Sequence, residues 1–218
     1  MKVVKASVGA VFCDMLSPLS VHTALALADF TFPGTKTKPT GVIRYLENLT
    51  PQEFASNLAA GLAMMLVGES PPNYWIPSIQ KGTSDGRRQV ALARALDVPQ
   101  GQGAEIWIDL ETPALDTTAL QIADYSKADC QEILSAGIDP GGYIGEGIPL
   151  SPEQLYLLPF LGYWHSLSNV QPVANVDYKM IQLFPTQTLQ LMTGPLLVDL
   201  NIVQQDKRGR LPTMIVAD

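Results

Sequence analysis

Two carboxylates, Asp109 and Glu111, stand two positions apart at the end of a short apolar run, residues 104–111. If this run is a β-strand, its side chains alternate between two faces, and both acids share one face with Trp107. Their backbones then lie roughly 6–7 Å apart. Two carboxylates at such a spacing are typical of glycoside hydrolysis, in which one acid donates a proton and the other supports the charge that develops.

Further carboxylates follow other apolar runs of strand length. Asp14 follows the first run, Glu69 the third and Glu146 the fifth, and Asp199 lies in the last. Such a concentration is unusual in a chain with only 16% charged residues. Crowded carboxylates cannot all ionise at their usual pKa, so at least one should stay protonated near neutral pH. One protonated and one charged acid is the arrangement that a glycosidase needs.

Other side chains are candidates for binding a substrate beside these acids. Alternation along the second run places Arg44 on one face with Val42 and Leu46, and we expect Arg44 to be the counter-charge of the acid cluster. A lone histidine beside aromatic residues, His165, is more often packed than catalytic. The candidate substrate-binding residues are Glu69, Arg44, Gln182, Trp75, Trp107 and Tyr143. Trp75 lies in a long Pro- and Gly-rich loop, residues 70–84, and is the better candidate for stacking on a sugar ring.

Eight apolar runs of strand length must position these residues. They are residues 3–12, 41–46, 62–67, 104–111, 141–145, 160–165, 178–184 and 196–200. Helix signals separate the earlier runs: Ser17-Pro18, Thr50-Pro51-Gln52-Glu53 and Ser151-Pro152-Glu153-Gln154 each place a capping residue before a proline. Two further helices are expected at residues 87–96 and 118–136. No good helix signal separates the seventh run from the eighth.

This order of elements predicts an α/β fold, a (β/α)8 TIM-like barrel in which residues 1–218 form a single domain. Its helical layer should be degraded in the C-terminal half. A doubly wound sheet is the alternative, but no Gly-rich phosphate-binding loop follows the first strand. In a barrel of this kind, functional groups project from the carboxyl ends of the strands, where the acids stand.

Composition excludes several classes of partner. The formal net charge of −7 argues against binding to nucleic acid and to anionic membrane surfaces. No run of 18 apolar residues exists, so insertion in a membrane is not expected. The N-terminal apolar run is too short for a signal peptide, which predicts synthesis in the cytoplasm and, if the protein acts outside, release by another route. No sequence feature indicates the oligomeric state.

Metal and cofactor binding are also not expected. The chain has two cysteines, Cys13 and Cys130, without a CxxC motif, and two histidines, so a structural zinc site is not predicted. A disulfide between the two cysteines stays open. The sequence shows no signature of an organic cofactor.

Several short motifs occur in an order that resembles family 25 glycoside hydrolases, the peptidoglycan muramidases found among bacterial and phage lysins. These motifs are the first-strand Asp14, Asp109-Leu110-Glu111, Tyr143-Ile144-Gly145, Ile181-Gln182-Leu183-Phe184 and Val198-Asp199-Leu200-Asn201. The chain is more similar still to the glycoside-hydrolase-like domains related to that family. Those domains have an Arg-Tyr-Leu strand, then Leu-Thr at the start of a helix, then Ala-Gly-Leu before the next strand. The same order is present here as Arg44-Tyr45-Leu46, Leu49-Thr50 and Ala60-Gly61-Leu62.

The resemblance implies a lysozyme-like hydrolase, as in the endolysins of bacteriophages, that acts on peptidoglycan of the cell wall. It implies a catalytic set of four acids: Glu111 is the general acid, Asp109 supports it or stabilises the positive charge that develops at the sugar, and Asp14 and Asp199 line the subsite and position the substrate. Two stretches depart from the lysozyme pattern: Phe12-Cys13-Asp14 replaces a glycine-led motif, and Val67-Gly68-Glu69-Ser70 replaces an aromatic-rich strand end. A second hypothesis therefore stays open: a non-catalytic carbohydrate-binding module, or a phage or secretion structural component, that retains the barrel.

Overall fold

The computed structural model describes residues 1–69, 71–166 and 170–218. The strands are β1 Lys2–Lys5, β2 Val11–Asp14, β3 Gly41–Tyr45, β4 Ala63–Val67, β5 Glu105–Leu110, β6 Asp139–Ile144, β7 Gly162–His165, β8 Met180–Leu191, β9 Gly194–Val203 and β10 Thr213–Val216. The α-helices are α1 Val21–Asp29, α2 Pro51–Ala59, α3 Ile79–Ala95, α4 Ala119–Ser135 and α5 Pro152–Tyr156.

Within these described ranges, eight strands close a barrel, which confirms the predicted TIM-like fold. Strands β2 to β8 run parallel to their neighbours, and β4 pairs with β5 to continue the ring. The ring closes through β9, which runs antiparallel to both β8 and β2. The last barrel strand therefore differs from the parallel one of a regular (β/α)8 barrel. Outside the ring, β1 pairs with β10, and β10 touches β4 at a single position.

Strand β5 shows why the chain folds into two apolar layers. Ile106, Ile108 and Leu110 belong to the core between the barrel and the helices, whereas Trp107 belongs to the core inside the barrel. Both layers exclude water, which is the arrangement expected of a parallel strand covered on both faces. The predicted alternation along this strand is confirmed, and it turns Asp109 towards the barrel interior.

The helix starts follow local sequence signals. Thr50, Thr118 and Ser151 cap α2, α4 and α5 by accepting a hydrogen bond from a backbone N–H three residues ahead. In the C-terminal half the helical layer thins: α5 has five residues, and β8 leads to β9 through a hairpin turn. The expected degraded layer is thus present.

Several predicted boundaries are wrong. A turn divides the run 3–12 into β1 and β2, and the first helix begins at Val21, capped by Ser20, rather than after Ser17. Helix α3 begins at Ile79, inside the stretch that was expected to be a loop. The seventh and eighth runs extend into the long strands β8 and β9, and β10 has no counterpart among the predicted strands.

Two other features bear on the expectations from composition. Cys13 and Cys130 are both free and buried, so they form no disulfide. Within the described ranges, no helix is long and apolar enough to cross a membrane.

Candidate active site

The two carboxylates of the opening motif lie at the carboxyl end of β5, on the inner side of the barrel. Asp109 is the second-last residue of the strand and only 3% exposed, and Glu111 follows the strand directly and is partly buried. Their charges interact, since Glu111 raises the pKa of Asp109. Glu111 therefore does not turn outward into the helical layer, and the two acids form one titrating unit.

Asp109 sits in an environment that disfavours its ionised form. Burial raises its pKa well above the usual value, and the charges of Glu111 and Asp14 raise it further. The hydroxyl of Tyr45 opposes this effect by donating a hydrogen bond of 3.0 Å to Asp109 Oδ2. The other oxygen, Oδ1, is buried and has no hydrogen-bond partner among the described residues. One oxygen of Asp109 thus accepts a hydrogen bond, whereas the other is buried without a donor among the described residues, which adds to the cost of ionisation.

Glu111 is the more accessible member of the pair. Burial raises its pKa, and so does the neighbouring Glu146, which is exposed. Its backbone carbonyl accepts a hydrogen bond of 2.7 Å from the indole Nε1 of Trp75. This bond ties the end of β5 to the loop after β4 and fixes the point from which the Glu111 side chain leaves the backbone.

Asp14 and Asp199 lie opposite each other on neighbouring strands. Asp14 ends β2, and Asp199 is its antiparallel partner in the middle of β9. Burial, and next the charge of Asp199, raises the pKa of Asp14 from 3.8 to about 7, and Glu111 also raises it. An Oδ1 oxygen of each acid is buried without a hydrogen-bond partner within the described ranges. The strand register therefore brings a second acid pair to the same end of the barrel as Asp109 and Glu111.

A chain of hydrogen bonds holds Asp199 from the side of β8. The Tyr143 hydroxyl donates to Gln182 Oε1 at 2.9 Å, and Gln182 Nε2 donates to Asp199 Oδ2 at 3.0 Å. Both Tyr143 and Gln182 are only 7% exposed, and the Tyr143 ring packs edge-on against Trp164 at a centroid distance of 4.4 Å. We expect these two residues, from the sequence, to bind substrate. In the structure they support Asp199, which is partly exposed at the carboxyl ends of the barrel strands, the end that we call the opening.

Arg44 does not line the site. It is fully buried on the outer face of β3, where its Nε donates to Glu53 of α2 at 2.8 Å and Nη1 donates to the Met15 carbonyl. Its charge lowers the pKa of Asp14 from behind the strand, but a substrate cannot reach it. Arg44 does share a face with Val42 and Leu46, but that face points to the helices and not to the acids. The inward side chain is Tyr45, which donates to Asp109 and is not a candidate in the sequence analysis.

Glu69 and the two candidate tryptophans also lie outside the opening. Glu69 forms an ion pair with Arg88 of α3. Trp107 is fully buried inside the barrel, and Trp75 is 4% exposed and packs against Tyr125 of α4 at a centroid distance of 4.7 Å. Neither indole presents a free face to a sugar ring, so the stacking expectation is wrong for both.

Two further aromatic side chains, Tyr74 and His165, lie near the carboxyl ends of the barrel strands. Tyr74, next to Trp75, is 68% exposed, and its N–H donates to the Thr112 carbonyl at 2.8 Å. His165 packs edge-on against Tyr178 at 4.7 Å, and its Nδ1 contacts the Ser166 carbonyl. Tyr74 is therefore an exposed ring at the rim, whereas His165 is held by packing. Across the described ranges, no three His, Cys, Asp or Glu side chains are grouped to hold a metal ion.

Comparison with known proteins gives both a sequence family and a fold. The model of a family described as Rv2525c-like, glycoside hydrolase-like domain, matches residues 34–173. Comparison with curated proteins finds no match. The fold is similar to an uncharacterized B. stearothermophilus protein, with a TM-score of 0.65 and 15% identity over 90% of this chain and 96% of that one.

Two cell-wall lytic proteins share the fold. The Clostridium perfringens spore cortex lytic enzyme SleM matches with a TM-score of 0.59 and 13% identity, over 92% of this chain and 69% of that one. The modular autolysin LytC from Streptococcus pneumoniae matches with a TM-score of 0.55 and 10% identity, over 88% of this chain and 46% of that one. The present chain thus corresponds to less than half of LytC.

Proposed function

The chain belongs to the Rv2525c-like family of glycoside hydrolase-like domains, and from that premise we propose that it hydrolyses an amino-sugar polymer, peptidoglycan, with Glu111 as the general acid. The observation that carries the proposal is the pair of interacting carboxylates at the carboxyl end of β5, both with raised pKa. The shared fold of SleM, a spore cortex lytic enzyme, and of LytC, an autolysin, supports a cell-wall substrate.

The geometry favours Glu111 over Asp109 as the proton donor. A general acid must be protonated and must reach the glycosidic oxygen. Glu111 is partly exposed, whereas Asp109 is almost completely buried. Burial and the charge of Glu146 raise the pKa of Glu111, which favours the protonated form that a general acid needs.

The remaining acids act on the sugar rather than on the leaving group. When the glycosidic bond breaks, positive charge develops at the ring carbon, and a nearby carboxylate stabilises it. Asp109 lies beside Glu111 and takes this task in its ionised form, which burial disfavours and the hydrogen bond from the Tyr45 hydroxyl stabilises. Asp14 and Asp199 lie across the opening, where they accept hydrogen bonds from sugar hydroxyls and position the ring. Tyr45 and Gln182 are positioning residues, because each donates to an acid rather than facing the opening.

The test compares turnover of purified peptidoglycan by the wild type, Glu111→Gln and Glu146→Gln. Loss of the general acid should lower the rate about 10²–10⁴-fold in Glu111→Gln. Glu146→Gln is the matched control, since it removes a neighbouring exposed carboxylate that raises the pKa of Glu111. It should keep turnover and move the alkaline limb of the pH profile to lower pH, because Glu111 then loses its proton more readily.

Two outcomes would count against the proposal. Equal rates of peptidoglycan turnover for the wild type and Glu111→Gln would show that Glu111 is not the general acid. If neither protein releases sugar ends while both sediment with insoluble peptidoglycan, the chain is a binding module rather than an enzyme.

A further inference from the structure

The hairpin formed by β8 and β9 reaches beyond the barrel on the side of the acids. Strand β2 ends at Asp14, opposite Asp199, but β9 begins five residues earlier, at Gly194. The extra part of β9 pairs with the far half of β8, from Thr188 opposite Leu197 to Leu191 opposite Gly194. Because β9 is antiparallel, this extra part stands above the carboxyl ends of the parallel strands.

One face of this hairpin is anchored to the protein. Leu189, Leu191 and Val198 are at most 8% exposed and belong to the same apolar core as Ala24 and Leu27 of α1. Burial of these side chains stabilises the hairpin in its upright position, since each removes apolar surface from water. The hairpin is therefore a fixed wall at the edge of the site.

The opposite face of the hairpin is exposed and continues the inner surface of the barrel. Strand alternation places Leu197 on the same face as Asp199 and Asn201. Asn201 lies inside the barrel, where its Oδ1 accepts a hydrogen bond of 2.9 Å from Trp164 Nε1. Leu197 is 65% exposed. Its neighbours on this face are Thr188, Gln190 and Pro195, all exposed.

This wall is nearly free of charge. Residues 180–205 contain a single charged residue, Asp199, in a chain with 16% charged residues. Two cross-strand pairs on this face, Thr188 with Leu197 and Gln190 with Pro195, each combine a hydrogen-bonding side chain with an apolar one. Successive cross-strand pairs on one face of a hairpin lie about 7 Å apart along the strands. Such a surface suits a neutral ligand that offers both C–H faces and hydroxyl or amide groups.

We propose that the exposed face of this hairpin is a subsite for the neutral N-acetylhexosamine units of a glycan strand whose reacting bond lies at Glu111. Leu197 and Pro195 contact the apolar ring faces and N-acetyl methyl groups, while Thr188 and Gln190 bind hydroxyl and acetamido groups. The inference rests on the proposed function for its substrate class. Its consequence is a preference for long chains, since a short fragment at the acids does not reach the wall.

The test measures the affinity of soluble N-acetylglucosamine oligomers by calorimetry, with Glu111→Gln as the background so that no ligand is cleaved. Leu197→Ser should weaken binding of the hexasaccharide about fivefold, because an apolar contact is lost, and should leave the disaccharide unchanged. Met192→Ser is the matched control: Met192 is fully exposed at the hairpin turn, outside the paired face, and its replacement should change neither affinity. Gln190→Ala is a second variant with the same expected selectivity for the longer ligand.

Equal hexasaccharide affinity in Leu197→Ser, Gln190→Ala and the parent would overturn the inference. Loss of binding to phosphatidylcholine vesicles in Leu197→Ser, with unchanged glycan affinity, would assign the wall to a membrane instead. The inference and the proposed function fail separately. If the protein cleaves peptidoglycan but Leu197→Ser binds the hexasaccharide as tightly as its parent does, only the subsite is excluded. If Leu197→Ser selectively weakens hexasaccharide binding but the wild type cleaves no peptidoglycan, the subsite stands and the catalysis is excluded.

Discussion

The carboxyl group of Asp14 lies where ionisation is costly. It is buried, it faces Asp199, and its pKa is raised from 3.8 to about 7. The unfolded chain releases the Asp14 proton near pH 4, whereas the folded protein keeps it until about pH 7. A group of this kind lowers stability as the pH rises through that window, because the folded state binds more protons than the unfolded state.

Removal of the Asp14 charge should therefore stabilise the protein above neutral pH. We expect Asp14→Asn to raise the free energy of unfolding by about 2–4 kcal/mol near pH 8 and to change it little near pH 4. Urea denaturation at both pH values checks this. Asp116→Asn, which removes an exposed acid, should alter stability by less than about 0.5 kcal/mol at either pH. A loss of stability in Asp14→Asn at both pH values would show that the shape of the carboxyl group, rather than its charge, dominates.

Alternation along one strand predicted the direction of some side chains and not of others. On β5 the outer face is entirely aliphatic, so Trp107 and Asp109 had to turn inward. On β3 both faces are largely apolar, and the pattern could not tell which one carries Arg44. The deciding fact is the position of Glu53 on α2, which accepts from Arg44 at 2.8 Å. Such a long-range partner is not visible in a local pattern.

Helices α3 and α4 pack against each other with buried polar side chains between them, beside the apolar residues that both helices add to the core. The Tyr125 hydroxyl and Lys81 Nζ both donate to Asp85 Oδ2, at 2.9 and 2.8 Å, and Gln89 Nε2 donates to Asp129 Oδ2 at 3.1 Å. Asp129 is completely buried, and burial raises its pKa well above the usual value. Close approach of the two helices is needed for these short bonds.

Gly86 of α3 allows this close approach. A Cβ at this position would lie 2.7 Å from the Asp129 carbonyl oxygen and 2.9 Å from its Oδ1. Gly86→Ala should lower the free energy of unfolding by about 1–3 kcal/mol, as overpacking does, although alanine normally stabilises a helix relative to glycine. Ser84→Ala, at an exposed position of the same helix, is the control and should leave stability unchanged or slightly raised. Guanidinium denaturation gives the sign, and a more stable Gly86→Ala protein would contradict the packing argument.

The same packing explains why the start of α3 was misplaced. Glycine disfavours a helix in isolation, and Gly82 and Gly86 led to the expectation of a loop before residue 87. Tertiary contacts with α4 outweigh that propensity. The antiparallel direction of β9 was not predicted either, because the sequence shows no helix between residues 184 and 196 but does not show that the two strands extend to a short turn at Met192 and Thr193.

A buried ion pair joins the start of β5 to the residue before β8, at the end of the barrel opposite the acids. Lys179, just before β8, donates from Nζ to Glu105 Oε1 of β5 at 2.7 Å, and both side chains are about 95% buried. Glu105 Oε2 accepts a further bond of 3.0 Å from the Thr213 backbone N–H of β10. Three segments that are distant in sequence thus meet at one carboxylate.

Breaking this ion pair should destabilise the whole molecule. Lys179→Met leaves Glu105 buried without its cation and should cost about 3–5 kcal/mol. Adding Glu105→Gln to that variant removes the stranded charge, keeps an acceptor for Thr213, and should restore part of the loss. Lys207→Met breaks an exposed pair with Asp177 and should cost at most about 1 kcal/mol. Denaturant midpoints rank the variants, and equal losses for Lys179→Met and Lys207→Met would contradict the role of burial.

At the scale of the molecule, the barrel and its thin C-terminal helical layer followed from the order of apolar runs and caps. The position of the acids followed as well, because strand ends of a parallel barrel share one rim. The support of those acids did not follow. Tyr45 and Gln182 each reach an acid on another strand, and such contacts depend on the closed ring.

Gly145 stands beside Glu111 at the rim, and its backbone N–H donates to the Leu110 carbonyl at 2.7 Å. Any side chain at position 145 would begin 2.8 Å from Glu111 Oε2 and closer still to its Cβ. The acid can occupy its place only while its neighbour has no side chain. Positions 111 and 145 therefore form one steric unit across two strands. In this chain the glycine at position 145 is as necessary as the glutamate for a carboxylate to stand at that point.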